Sequence, residues 1–597
     1  MTKLSVVIPT FNRRSVLERS LSALLDQDLP AEDFEIIVVD DGSTDDTSEL
    51  LRGWKAHCAF RALQSPHRGA SSARNLGIQA ASGDLILFLD DDLIGAKDLL
   101  RQHCASHSLP EARIVNGRIR TAPDSAKTVV RHLTELTDPV YLSMEPVMDA
   151  HDPKSIPPGI TVIPSIANSS MPRDLLLRSG GFDEKIFAAE DLELKLRLWK
   201  MGASFRYQPA AVAYELYDKS SWQYLWTQAR ALGAGDIRTS RKHPEYRPYS
   251  ALSTLGTTDT AKRWLRSALM RSPVSPVWFL ALPLRLEKWY YRCGPLRSAG
   301  VHLFTLAARI AQLRSALSVA GSCKALKQEF GILCPGLMYH HVGPSHPGTF
   351  RELTVSPRQF ERQIRWLARW GYTGIKPSDW LRWRREGTGL PRKPILITFD
   401  DAYAETAEYA LPILRRYGFG AAVFVVTERI GGTNTWDEAE GRGTLQLMTA
   451  EQIRYWAAEG IEFGAHSRTH ADLTQLPADK CAAEIAGSKS DLANLLGAPV
   501  VSFAYPYGHV SDTVRELVRA EFDLAFGVGE GLNCLRDDPH LMKRRYVGPD
   551  DLLLDAAVGF RWRREARWLG DLRIKLALRS RLKEALRHLG RRSSDCA

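Results

Sequence analysis

Two successive α/β domains joined by a helical connector are predicted for this chain by three observations. At 597 residues it exceeds what one ordinary hydrophobic core supports. Short apolar runs alternate with amphipathic stretches through the first 240 residues, and the pattern starts again after Cys334. In both stretches, carboxylates or histidines stand directly behind apolar runs, as at Asp90 to Asp92 and at Asp400 and Asp401.

In chain order, LSVVIP (4–9), EIIVVD (35–40) and DLILFLD (84–90) read as buried strands. SVLERSLSALLDQ (15–27) and the stretch around Arg74 read as the helices between them. Such alternation predicts a mainly parallel sheet, whose ligands collect beyond the carboxyl ends of the strands, where Asp40, Asp41 and Asp90 to Asp92 fall. From about 250 to 330, AKRWLRSALM (261–270), PVWFLALPLRLEKWYYR (276–292) and VHLFTLAARIAQLRSALSVA (301–320) are helical, basic and rich in Trp and Leu. They form either a connector packed on the domains or an interfacial membrane contact.

After Cys334, GLMYHHV (336–342), ILITFD (395–400), AAVFVV (421–426), IEFGAH (461–466) and VVSFAYP (500–506) read as strands. FERQIRWLARWG (360–371), TAEYALPILRRYG (406–418), TAEQIRYWAAEG (449–460) and SDTVRELVRA (511–520) read as helices between them. Repeated β–α units with metal-type residues at strand ends predict a barrel with its site on the carboxyl-terminal face. The divisions are 1–250, a connector at 251–333, 334–559, and a basic amphipathic tail at 560–597.

Composition narrows the class. With 44% hydrophobic and 25% charged residues the chain is globular, not disordered or fibrous. Eight cysteines without a CxxC pair argue against zinc ribbons and disulfide scaffolds. The first residues, MTKLSVVIPTFNRR, lack the apolar run and cleavage site of a secretory signal, and VWFLALPL (277–284) is too short to span a bilayer. The expected location is cytoplasmic, peripheral on the inner face of the membrane. The net charge of +10 gathers in the arginine-rich tail, which suits an anionic membrane surface or is simply a solvated helix. No nucleic-acid-binding module accompanies that charge, so no nucleic-acid partner is expected.

The aspartate run at 90–92 suits a hard divalent cation that neutralises a leaving diphosphate. Taken alone it also fits a solvated turn. The accompanying pieces are VVIPTFNR (6–13), VVDDGSTD (38–45), GASSARNLGI (69–78), LDDDL (89–93), NSSMPRDLL (168–176), GGFDE (180–184) and AEDLEL (189–194). With these, residues 1 to 240 resemble the family-2 glycosyltransferases. The resemblance implies a GT-A type, Rossmann-like fold, a nucleotide-sugar donor, a glycan or lipid-linked acceptor, Mg2+ or Mn2+, and inversion at the anomeric carbon. By the same resemblance Thr10, Phe11 and Asp41 hold the nucleoside, with Arg74 nearby, and Asp91 and Glu190 line the donor and acceptor site. Asp90 and Asp92 meet the metal, and Asp191 is the general base. Where many relatives carry a histidine after the last sheet strand, AVAYELY (211–217) has Glu215.

In the second half, TFDD and HxxxH supply one carboxylate for a metal, one for a base, and two imidazoles, the set that amide hydrolysis on a metal-held water requires. Residues 334 to 550 resemble the polysaccharide deacetylases of carbohydrate esterase family 4, on PILITFDDAY (394–403), FGAHSRTH (463–470) and FAYPYG (503–508). MYHHV (338–342) and SPRQFERQIRWLARWGY (356–372) are similar to the branch acting on poly-N-acetylglucosamine. The resemblance implies a distorted (β/α) barrel and Zn2+ or a similar divalent metal. It makes Asp400 the base and Asp401, His466 and His470 the metal ligands. Tyr507 is then an aromatic wall or a backbone oxyanion contact. Ala504 stands where many members have the arginine that orients the base. For the acid the nearest candidate is His540, with a structural surface histidine as the alternative; His340 and His341 are read as structural or as lining the barrel mouth.

The combined expectation is a bifunctional enzyme that transfers an N-acetylhexosamine or similar sugar and N-deacetylates the product or a related glycan. A transferase with a degenerate carbohydrate-binding module, and a non-enzymatic membrane scaffold, are the alternatives.

Overall fold

The computed structural model describes residues 3–107, 113–125, 165–216, 220–256, 294–344, 353–440, 443–529 and 531–548, with Thr128, Val129, Ile156 and Ile160. The tail at 560–597 and the connector stretches 261–270 and 276–292 lie outside the described residues. The chain divides into two compact units, Met1–Phe330 and Gly331–Ala597.

The first unit is built on β1 (Leu4–Thr10), β2 (Phe34–Asp40), β3 (Ala59–Gln64), β4 (Leu85–Phe88), β5 (Leu93–Gly95), β6 (Arg113–Thr121), β7 (Ser169–Pro172) and β8 (Ser204–Glu215). They form one sheet in the order β3-β2-β1-β4-β7-β6-β8-β5. β2 is buried at every position, as expected of a strand covered on both faces, and pairs in parallel with β1 and β3. The expected mainly parallel sheet holds from β3 to β4 and then reverses, because β7 runs antiparallel to both β4 and β6. The register Thr10↔Asp40 and the end of β4 at Phe88 bring Thr10, Asp40 and the 90–92 run to one edge of the sheet.

Helices cover this sheet at Arg14–Leu25, Ala70–Ala80 and Glu190–Lys200. The last opens with Glu190, Asp191 and Glu193 and closes with Arg197 and Lys200, so its charges complement the helix dipole. Residues 301–320 fall in the long helix Gly294–Ala320, which groups with this unit. It packs so tightly on Arg230–Lys242 that a Cβ at Gly233 would collide with the Gln312 carbonyl.

The second unit contains β9 (Cys334–Tyr339), β10 (His341–Val342), β11 (Thr354–Val355), β12 (Thr373–Ile375), β13 (Pro394–Phe399), β14 (Ala422–Val425), β15 (Glu462–Ala465), β16 (Ser502–Ala504), β17 (Leu524–Phe526), β18 (Leu532–Asn533) and β19 (Arg545–Tyr546). Its main sheet runs β17-β16-β15-β14-β13-β9-β18, with β19 added in parallel to β9. The stretch leading into β19 also bonds to β17, through Met542 N–H to Ala525 O and Gly527 N–H to Met542 O. Residues 542–546 are therefore the stave that closes the curled sheet into a distorted barrel. A core that includes Phe399, Val423, Val425, Phe463 and Phe503 lies between these strands and the helices, with Ile364, Leu411, Ile453 and Val518. The expected helix over 406–418 begins with a wide turn at Thr406–Ala410, where Pro412 cannot supply an N–H to a regular helical ladder.

Candidate active sites

In the first unit, the backbone ends of β1, β2 and β4 place the expected residues in two adjoining groups. Arg74, on a helix packed against β1, is buried and reaches three carboxylates: Asp90 at 2.9 Å, Glu190 at 3.3 Å and Asp191 at 3.5 Å. Beside it, Thr10 Oγ1 donates to Asp91 at 2.8 Å, and Arg13 lies 3.7 Å from Asp91 and 2.8 Å from Asp92. Arg13 sits inside the matched stretch 6–13, yet sequence reasoning gave it no role. Asp41 stands apart, accepting from the Arg68 and Gly69 amides at 2.9 and 2.7 Å. Phe11 stacks on His67 at 4.0 Å with part of its face exposed.

Electrostatics sharpen this picture. Burial, then Asp92, pushes the Asp91 carboxyl up to about 7 despite Arg13. Burial, then Asp191, pushes Glu190 up to about 7. Asp191 is also raised, by burial, with Arg74 and the Ile166 N–H (3.0 Å) opposing. Carboxylates crowded enough to resist ionisation suit an added cation, and their hard oxygens fit Mg2+ or Mn2+. Glu215 ends β8 directly opposite Leu93, the residue after the aspartate run.

In the second unit the expected base and ligands follow the carboxyl ends of strands: Asp400 and Asp401 after β13, and His466 and then His470 after β15. Asp401 Oδ1 is buried without a hydrogen-bond partner, with His466 Nε2 at 3.6 Å and His470 Nε2 at 3.3 Å. Among the described residues these three form the one group of His, Cys, Asp or Glu gathered to hold a metal ion. Tetrahedral ligands about 2.0–2.1 Å from zinc stand roughly 3.3 Å from one another, so an orphaned carboxylate oxygen at this spacing fits that ion. His466 Nδ1 is 2.8 Å from the Ala504 carbonyl, which leaves Nε2 as the coordinating atom. Burial brings the His466 imidazole down to about 4, keeping it neutral as a ligand must be. His470 is stacked on Trp436 at 4.4 Å and meets the edge of Tyr507 at 4.6 Å.

Left-handed backbone at Asp401 (φ 68°), Ala402 (57°), Ser467 (61°), His470 (67°) and Tyr507 (59°) gathers around this centre, the kind of strain that functional sites retain. It turns the adjacent Asp400 and Asp401 to different partners. Asp400 accepts from Arg544 at 2.5 and 3.0 Å, a bidentate clamp. The guanidinium is fully buried between Phe424 and Phe526 and also reaches Thr398 Oγ1 and Gly527 O. Burial alone would raise Asp400, but Arg544 and His466 hold it below the usual carboxylate range. Where Ala504 offers no arginine, Asp400 meets one from the closing stave, 144 residues beyond Asp400 in the chain.

His540 is corrected by its position. Its Nε2 bonds the Phe522 carbonyl at 2.9 Å, ahead of β17, and its own carbonyl accepts from Tyr505. That is the amino end of the strand, whereas Asp401 and His466 follow carboxyl ends, so His540 is not brought together with them. His341 is held between Thr354 Oγ1 (3.0 Å) and Glu405 (2.7 Å). His340 is different: its Nδ1 is buried without a hydrogen-bond partner, and its ring helps hold both Asp400 and Asp401 ionised. No helix among the described residues is long and apolar enough to cross a membrane.

Comparison with known proteins finds a separate family in each half of the chain. Residues 5–164 match the family Glycosyl transferase family 2, and residues 387–522 match the family Polysaccharide deacetylase. YxkH of Bacillus subtilis (strain 168), assigned by its name to the polysaccharide deacetylases, is 27% identical over 225 residues, 38% of this chain and 75% of its own. The pre-mycofactocin glycosyltransferase of Mycobacterium tuberculosis (strain CDC 1551 / Oshkosh) is 30% identical over 244 residues, 40% of this chain. The match spans about half of that relative, 48% of its length. Among solved structures, the Streptococcus pyogenes deacetylase PplD in complex with acetate is 25% identical, covering 37% of this chain and 94% of its own, with a TM-score of 0.33. The chain therefore carries a family-2 glycosyltransferase domain in its N-terminal part and a polysaccharide deacetylase domain in its C-terminal part.

Proposed function

We propose that this fused glycan enzyme transfers an N-acetylhexosamine or related sugar, with inversion, from a nucleotide-sugar to a lipid-linked or glycan acceptor, and removes an N-acetyl group from the product or a related glycan. The observation that carries the second activity is the triad of Asp401, His466 and His470 beside an Asp400 clamped by Arg544.

In the transfer site, Thr10, Phe11 and Asp41 receive the nucleoside, and Arg74 orients Glu190 and Asp191 through one guanidinium. Asp191 takes the proton of the attacking hydroxyl from the face opposite the leaving group. Mg2+ or Mn2+, held by Asp90 and Asp92, would offset the charge of the departing diphosphate.

In the deacetylase site, Zn2+ or a similar ion on Asp401, His466 and His470 would acidify a water and polarise the amide carbonyl. Asp400, kept ionised and aimed by Arg544, takes that water's proton. His340 replaces His540 as the residue that protonates the leaving amine, since its buried ring nitrogen has no hydrogen-bond partner and its ring acts electrostatically on both aspartates. Tyr507, half-exposed against His470, walls the sugar groove. The Arg544 contact to Asp400 supports this reading over a degenerate binding module.

A donor screen by nucleotide release, followed by mass spectrometry of the product for loss of acetyl, tests both halves. Release followed by a loss of 42 mass units (about one acetyl against hydrogen) is expected. Acetylated product unchanged in the presence of zinc would leave only the transferase.

A further inference from the structure

The helix that carries Asp191 also carries a lysine whose environment the transfer chemistry above does not use. Lys195 stands four residues after Asp191, hence on the same helical face. Its side chain is fully buried, although a buried ammonium costs several kcal/mol unless it is well bonded. The Nζ lies 2.6 Å from Asn116 Oδ1 on β6 and 2.6 Å from the Ser165 carbonyl. Both bonds have the short length of charge-assisted ones. Asn116 Oδ1 in turn accepts from Ser169 Oγ on β7 at 3.0 Å, so the lysine is tied to the sheet. Ser165 is the residue before Ile166, whose N–H donates to Asp191 Oδ2 at 3.0 Å.

Charge balance points the same way. Asp90, Glu190 and Asp191 are three carboxylates facing one guanidinium, Arg74. Among the described residues, the charged groups that act on Asp191 include Arg74 from the helix Ala70–Ala80, Asp90 from the turn after β4, and Glu190 and Lys195 from its own helix. Lys195 adds a second basic group: burial brings its ammonium down to about 7, with Asp191 opposing that fall, so it carries its charge below neutrality. A methionine or leucine would fill its volume on a helix whose neighbouring positions are apolar, so packing alone does not call for an ammonium here.

We propose that Lys195 is a positioning residue for the transfer base: it fixes the turn that presents the Ile166 N–H to Asp191, and it keeps Asp191 ionised when Arg74 is shared among three carboxylates. This rests on the reading of Asp191 as the base.

The test uses the full chain, Mn2+ and a mixed panel of UDP-, GDP- and dTDP-sugars, with nucleoside diphosphate release followed against pH. Lys195→Gln keeps a donor for Asn116 and Ser165 and removes only the charge. Its kcat/KM profile moves its acid limb upward by about one unit, kcat at neutral pH falls about 10-fold, and donor KM stays within about twofold. Lys195→Met moves the limb similarly and loses more kcat. An acid limb in Lys195→Gln that coincides with the wild type overturns the inference, because a purely structural lysine would leave the limb in place. Should Lys195→Gln fail to fold, Asn116→Asp pairs the ammonium in place, and an unmoved limb there counts equally against it. Undiminished release by Asp191→Asn would instead overturn the base assignment itself.

Discussion

Each unit carries a pair of adjacent acids at its centre, and the pairs are used in opposite ways. Glu190 and Asp191 open a helix and turn to the same cation, Arg74; burial raises the proton affinity of both, with Asp191 adding to it at Glu190 and Asp90 at Asp191. Asp400 and Asp401 end a strand and are turned apart by left-handed backbone at Asp401 and Ala402. One faces Arg544 and the other faces two imidazoles, and both are held more acidic than usual. The lesson is that adjacency in sequence does not set protonation; the partner each carboxylate meets does. Burial around a shared cation leaves Glu190 able to accept a proton near neutrality, and separate partners leave Asp400 and Asp401 ionised.

The most severe break of that comparison is His466→Ala. It is expected to abolish acetate release and zinc binding, read by metal analysis of the purified protein, while nucleotide release stays at the wild-type rate. Retained stoichiometric zinc would contradict the ligand set. Asp191→Asn is the mirror case: transfer falls about 10³-fold with acetate release untouched. Arg544→Met probes the clamp directly. It leaves Asp400 buried without its counter-charge, so denaturant unfolding of the second unit is expected to lose about 3–5 kcal/mol, with deacetylation reduced alongside. If Arg544→Met unfolds no earlier than the wild type, Asp400 is not held as described.

A pH titration sharpens the comparison from the other side. His103, buried between Ser170 Oγ and Asn168 Oδ1, is brought down to about 4 by burial. Its folded form therefore binds fewer protons than the unfolded chain between about 4 and 6.5. Its stabilising contribution is complete above pH 6.5 and is lost as pH falls toward 4, an effect of about 3 kcal/mol on the first unit. Thermal melts across that range read it, and a first-unit transition flat in pH would count against a buried neutral His103. The smallest effect is expected of Tyr507→Ala at the half-exposed groove wall: a rise of about threefold in KM for an N-acetylated oligosaccharide, with kcat little changed. A large loss of kcat would instead place Tyr507 among the reacting groups.

Much of the fold is legible in the sequence. Continuous apolar runs such as EIIVVD and PILITF declare buried strands, and the acids behind them declare which sheet edge carries chemistry. The reversal at β7 is not legible, since SSMP has no periodicity to reveal which neighbours it will pair with. In the second unit the ligands were readable because Asp401, His466 and His470 lie in compact local patterns. The Arg544 clamp on Asp400 was not. Arg544 sits in a basic stretch that looks like surface, and only closure of the barrel turns it inward. The same stretch drew attention to His540, which the parallel course along β17 leaves at the wrong end.

What the sequence determined by itself is the buried strands and the acids at their ends, because continuous apolar runs and strand-end acids are local properties. What only the tertiary structure decided is which cation each acid meets: Arg74 for Asp191, Arg544 for Asp400, and Lys195 behind Asp191. Those pairings join residues carried by different elements, and their strength depends on burial and dielectric. Both are properties of the packed chain, and no stretch of sequence records them.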